Sequence, residues 1–174
     1  MTNNLNFVNF KPTKNLKAFI KENKLKVKEL IDQEDFTRLY HIALKYGDSK
    51  GINIMPDLTQ LLYNINVDPL DYIDKVPASF LDSVKVEMDL ILPENITAIG
   101  EFAFAGSWVK SISIPTSCEY FDEYIFYDCK KLNYIYYKGT YDDFDKIPKA
   151  TKWCSTIDSS LPVWVICTDK KVKL

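Results

Sequence analysis

Leu90-Ile91-Leu92-Pro93 returns 22 residues later as Ile112-Ser113-Ile114-Pro115, and Phe104 returns as Phe126. Between these anchors Ile96 aligns with Cys118, Ile99 with Phe121 and Phe102 with Tyr124. After a slip of one residue, Val109 aligns with Leu132 and Ile112 with Ile135. Every aligned position is apolar or aromatic. A period in the twenties, with a short apolar-x-apolar segment in each unit, predicts a solenoid. Each unit has one strand and one returning arm, and buries its face only against its neighbours. Such folds present extended binding surfaces more often than catalytic sites.

Alternate strand residues point the same way, so Leu90 and Leu92, Ile112 and Ile114, and Ile135 and Tyr137 are expected to face inward. Their neighbours then stack into two outward columns, one of Asp89, Ser111 and Tyr134 and the other of Ile91, Ser113 and Tyr136. These six residues, with Trp164 further on, are the candidate partner-binding surface. Pro93 and Pro115 suit strand exits, since proline has no N–H for a further ladder bond. Upstream, Pro77-Ala78-Ser79-Phe80-Leu81 reads as a degenerate first unit, because Phe80 precedes Leu90 as Phe104 precedes Ile114. Trp108 and Trp153 are expected to be buried, and the sense of Trp164 depends on the register of the final strand.

The first half of the chain has helical periodicity instead. Leu16, Phe19, Ile20, Val27, Leu30 and Ile31 share one face, predicting a helix over 14–32 with a break near Asn23. Its other face is basic, and Lys17, Lys21, Lys24 and Lys28 form a candidate surface for phosphates or an acidic partner. Phe36, Leu39, Tyr40, Ala43 and Leu44 predict a second helix closed by Gly47 and Asp48. A third follows Pro56-Asp57, with Asp57 as its cap, and Asp68-Pro69 starts a last helical turn. His41 lies one step off the apolar stripe, with no second histidine in the chain, and reads as a boundary residue rather than a base.

Leu92-Pro93, Ile96-Thr97-Ala98-Ile99-Gly100 and Phe102-Ala103-Phe104-Ala105-Gly106 resemble the BspA-type (Treponema-type) leucine-rich repeat. The second unit departs from that pattern at Tyr120-Phe121-Asp122, although Phe126, Cys129, Leu132 and Ile135 keep the spacing. Tyr137-Lys138-Gly139-Thr140, Phe144, Trp153 and Val165-Ile166-Cys167 resemble the terminal unit of such arrays, with its Y-x-G-T turn, acidic aromatic helix and last strand. The resemblance implies an α+β architecture: an N-terminal helical domain, residues 1–75, capping a short leucine-rich-repeat β-solenoid, residues 76–174. It also implies a non-catalytic protein-interaction module. The leader from Leu58 to Pro77 is similar to the helical leaders of small repeat proteins encoded by phages of low-GC Gram-positive bacteria. That likeness implies a phage-encoded inhibitor whose partner is a host protein, within host defence. A cell-surface adhesion module and a nucleic-acid-binding accessory protein are the alternatives.

Composition narrows the classes. A formal charge of -2 with 26% charged residues does not suit a strongly basic nucleic-acid binder. No apolar run is long enough to span a bilayer, and Met1-Thr2-Asn3-Asn4-Leu5-Asn6 lacks the start of an export signal, so a cytoplasmic protein is expected. Cys118, Cys129, Cys154 and Cys167 contain no C-x-x-C pair and read as free thiols. Acidic residues cluster at Glu119, Asp122, Glu123 and Asp128 and again at Asp142, Asp143 and Asp145, in turns and a short helix. With no histidine beside them, no Gly-rich phosphate loop and no nucleophile elbow, neither an enzyme, a cofactor nor a metal is expected.

Overall fold

The computed structural model describes residues 5, 7, 9–154 and 162–174. Helices α1 (Lys14–Glu22), α2 (Lys24–Asp32), α3 (Phe36–Lys50) and α4 (Met55–Asn64) come first, followed by a 3-10 turn over Pro69–Asp71. The Thr13 hydroxyl caps α1 by accepting from Leu16 N at 3.2 Å. The predicted break falls at Asn23, whose backbone N–H and side-chain amide both donate to the Phe19 carbonyl, at 3.0 and 2.9 Å. One long periodic stretch thereby becomes two helices.

Two expected helix boundaries are corrected. Helix α3 does not close at Gly47 and Asp48 but runs to Lys50, and Gly51, at φ +65°, supplies the left-handed cap. Gly47 serves a close approach instead: a Cβ there would lie 2.5 Å from the Ile52 carbonyl oxygen of the returning chain. Asp57 is not the cap of α4. It sits within the first turn after Pro56, while the Asn53 side chain accepts from Met55 N at 3.1 Å and meets that end's need. Asp57 accepts from Thr13 Oγ1 at 2.6 Å, tying the start of α1 to the start of α4.

From residue 75 the chain winds into coils. One side is a parallel ladder of β1 (Lys75–Val76), β3 (Ala98–Ile99) and β5 (Tyr120–Phe121), extended by a bridge from Phe121 to Lys149. The other is a five-stranded sheet in the order β2 (Met88–Ile91), β4 (Val109–Ile114), β6 (Tyr134–Tyr137), β7 (Trp164–Ile166) and β8 (Lys171–Lys173). Its pairings are parallel except the last, β7 with β8. The register sets Ile99 against Phe121, Leu90 against Ile112 and Ile112 against Ile135, which reproduces the repeat alignment including its one-residue slip.

A third side repeats through backbone hydrogen bonds. Ser79, Leu81 and Ser83 N donate to the carbonyls of Glu101, Ala103 and Ala105, and Phe102, Phe104 and Gly106 N to those of Glu123, Ile125 and Tyr127. Left-handed backbone recurs at matching places, Ser79, Phe102 and Tyr124, then Ser83, Gly106 and Asp128. The segment from Pro77 to Leu81 is therefore part of a first coil paired in register with the next, and that register puts Leu81, not Phe80, in the row of Phe104 and Phe126.

The core is continuous from Phe7 through the helices to Cys167. Tyr40 of α3 packs on Phe80 at 5.9 Å between ring centroids and Phe36 on Tyr72 at 5.2 Å, so the helices cover the first coil, which would otherwise expose its apolar end. At the far end Trp153 packs on Phe121, Phe126 and Phe144 of the short helix α5 (Tyr141–Lys146). Trp108 and Trp153 are half-buried rather than buried. The Lys131 ammonium lies over the Trp108 ring, 5.6 Å from its centre, and Trp153 belongs to the terminal coil.

Candidate functional site

The outward face of the five-stranded sheet carries the residues singled out by the repeat pattern. Inward positions Leu90, Ile112, Ile135 and Val165 are buried, so the residues between them face out. Pairing in register lines up Asp89, Ser111, Tyr134 and Trp164 in one row and Ile91, Ser113 and Tyr136 in the other. Asp89, Tyr134 and Tyr136 are exposed, whereas Ile91, Ser111, Ser113 and Trp164 are half-buried. Trp164 thus faces outward beside Tyr134. Tyr134 and Tyr136 lie two positions apart on β6, their rings 5.9 Å between centroids.

The rows extend past the sequence-derived columns. Lys173 pairs with Trp164 and Lys171 with Ile166, because β8 folds back antiparallel on β7. Strand β8 was not anticipated. Its sequence signal is short: the turn over Thr168-Asp169-Lys170, in which Cys167 N donates to the Lys170 carbonyl at 2.9 Å, and one alternation, Lys171-Val172-Lys173. Lys171 Nζ sits 4.3 Å from the centre of the Trp164 ring and 5.7 Å from that of Tyr134. At the opposite edge Ser111 Oγ donates to Asp89 at 2.7 Å and Lys110 Nζ lies 3.8 Å from the same carboxylate.

The basic residues of the leader are divided. Lys17 and Lys21 belong to α1, Lys24 and Lys28 to α2, and all four are exposed, but the break at Asn23 interrupts the single helix face on which the sequence set them. Lys28 pairs with Asp32.

Groups with catalytic potential are scattered. His41 is exposed on α3, and Asp142, Asp143 and Asp145 are exposed on α5. Asp143 is part of the helix cap, where hydrogen bonds with Thr140 hold its carboxyl below the usual range. The cysteines are free. Burial pushes the Cys118 thiol up to about 11 and the Cys129 thiol up to about 12, and Cys129 Sγ donates to the Phe104 carbonyl at 3.0 Å. These are inert, protonated core thiols. Among the described residues no group of three His, Cys, Asp or Glu side chains is arranged to hold a metal ion, and no helix is long and apolar enough to cross a membrane.

A family model described as BspA type leucine rich repeat region (6 copies) matches residues 72–158, half of the chain. No curated protein and no solved structure matches.

Proposed function

Because the chain belongs to the BspA-type leucine-rich repeat family, we propose that it is a non-catalytic protein-interaction module whose partner docks on the outward face of the five-stranded sheet. The observation that carries this reading is the exposure of Tyr134 and Tyr136 beside Trp164 on paired, regular strands. Aromatic side chains have few rotatable bonds and large area, so on a rigid support they anchor an interface at small entropic cost. Asp89, Ile91, Ser111 and Ser113 complete a flat approach on the same face.

The partner is another protein. In its narrow form the proposal is a phage-encoded inhibitor of a host defence protein, acting in the cytoplasm of the infected cell. The likeness of the leader from Leu58 to Pro77 to those of small phage repeat proteins supports that form.

Affinity capture from a Gram-positive bacterial lysate tests it, comparing wild type with Y134E/Y136E and with K17E/K21E/K24E. One host protein enriched by wild type and by the lysine variant, and lost with the tyrosine variant, is the expected result. Enrichment that survives the tyrosine changes overturns the assignment of this face. Salt-sensitive capture of nucleic acid, lost with the lysine variant, replaces it with nucleic-acid binding.

A further inference from the structure

Across the sheet the outward rows run from an acidic edge to a basic one. In register, one reads Asp89, Ser111, Tyr134, Trp164, Lys173 and the other ends in Tyr136, Ile166, Lys171. With strands about 4.8 Å apart, the gradient spans roughly 19 Å. Its acidic edge is neutralised internally, Asp89 by Ser111 and Lys110 and the nearby Glu87 by Lys131 Nζ at 3.4 Å. Its basic edge is not. The Lys171 ammonium lies over the Trp164 and Tyr134 rings, and neither Lys171 nor Lys173 forms an ion pair among the described residues.

Resting on the reading of this face as the docking surface, we propose that it takes an acidic protein segment. Apolar side chains of that segment cover Tyr136 and Ile166, and its carboxylates meet Lys171 and Lys173. Charge complementarity selects the sign of the partner, since among the described residues Lys171 and Lys173, beside the exposed aromatics, carry positive charge without an ion partner. The Lys171 ammonium lies over the Trp164 and Tyr134 rings and obstructs the stacking platform that a single-stranded nucleic acid requires. Two outward lysines on the terminal strand also discourage edge-to-edge strand addition, so the segment crosses the face rather than lengthening the sheet.

The test is a random peptide array probed with the full chain. Peptides of roughly 8 residues suffice, since an extended chain advances about 3.3 Å per residue. Wild type, K171E/K173E and Y136E are compared, each checked for folding by circular dichroism, with a fluorescent oligothymidylate as a parallel probe. Wild type is expected to select peptides rich in Asp and Glu around an apolar residue. K171E/K173E is expected to bind those peptides about tenfold more weakly and to shift its selection toward Lys and Arg. Peptides that depend on Tyr136 but show no acidic preference, or no shift on charge reversal, overturn the acidic partner and leave the docking face standing. Peptides indifferent to Y136E overturn the docking face itself. Oligothymidylate binding lost in K171E/K173E overturns the proposal in favour of nucleic acid.

Discussion

Phe102 and Tyr124 stack across neighbouring coils with ring centroids 5.0 Å apart and planes 9° from parallel, and both hold left-handed backbone, at φ +53° and +55°. Ser79 holds φ +56° at the same place in the first coil, without a ring. The conformation therefore belongs to the turn, fixed by the coil-to-coil hydrogen bonds, and the rings are an addition. A left-handed residue with a Cβ costs about 1–2 kcal/mol, and a stacked pair offsets about 0.5–1.5 kcal/mol of that. In a double-mutant cycle of Phe102→Ala and Tyr124→Ala, the backbone cost stays because alanine keeps its Cβ. A coupling of about 0.5–1.5 kcal/mol is expected from urea denaturation. Additive effects would show that the stack contributes nothing.

Two glycines of the first clear repeat are needed for different reasons, and alanine separates them. Gly106 has φ +61° and room for a Cβ at ordinary contact distance, the nearest atom being Ser83 Oγ at 3.4 Å. Gly106→Ala is expected to cost about 1–2 kcal/mol, the left-handed penalty alone. At Gly100 a Cβ would lie 2.8 Å from both the Val76 carbonyl oxygen and the Ala78 nitrogen, backbone atoms of the preceding coil, and the Val76 carbonyl also accepts from Gly100 N at 2.9 Å. Gly100→Ala is expected to cost about 3 kcal/mol or more, because the pairing of β1 with β3 must open. Equal melting-temperature losses would refute the distinction.

What the sequence disclosed follows from how each feature is encoded. The 22-residue period fixed inward and outward positions, because slipping by one residue would turn Leu90 and Ile112 to solvent. Asp89, Ser111 and Tyr134 are thus aligned by the repeat period alone, and the break at Asn23 is a polar interruption of the apolar stripe. Strand β8 was missed since three residues cannot show periodicity, and with it the lysines beside Trp164. Asp57 looked like a cap by position, yet Asn53 took that role through a contact that spacing does not reveal. Gly47 looked like a helix stop, but the helix runs on to Lys50 and Gly47 instead gives room to the Ile52 carbonyl of the returning chain.

Burial of thiols gives the fold an alkaline limit. Cys118 and Cys129 are pushed from the ordinary 9.0 up to about 11 and about 12 by loss of water. Below pH 9 both folded and unfolded chains keep these protons, and the contribution to stability is full. Between pH 9 and about 12 the unfolded chain releases protons that the folded chain retains, so stability falls as pH rises. The urea midpoint should decline over that window, and Cys118→Ala or Cys129→Ala should flatten the decline whatever it does at neutral pH. The tyrosines Tyr40 and Tyr63, also raised by burial, act in the same direction, and a decline unchanged in both cysteine variants would assign it to them.

Asp68 sits at the junction of helices and coils, so its loss tests whether the two unfold together. Its carboxylate, 9% exposed, accepts from Tyr63 OH at 2.8 Å and from Leu70 N at 3.0 Å, fixing the turn by which α4 enters the first coil. One coil later the Asn95 amide donates to the carbonyls of Leu70 and Ile73, at 2.8 and 2.6 Å, and clamps the same turn from the solenoid side. Asp68→Ala leaves a buried phenol and an amide without their acceptor and is expected to cost about 2–4 kcal/mol. All three tryptophans lie in the coils, so their fluorescence reports the solenoid while far-UV circular dichroism at the helix band reports the leader. With one continuous core, both signals should melt at one temperature in the wild type, and both should shift down together in Asp68→Ala. A helix transition that moves while the tryptophan transition stays would show that the cap and the repeats are separately stable, and that the core joining them does not couple their folding.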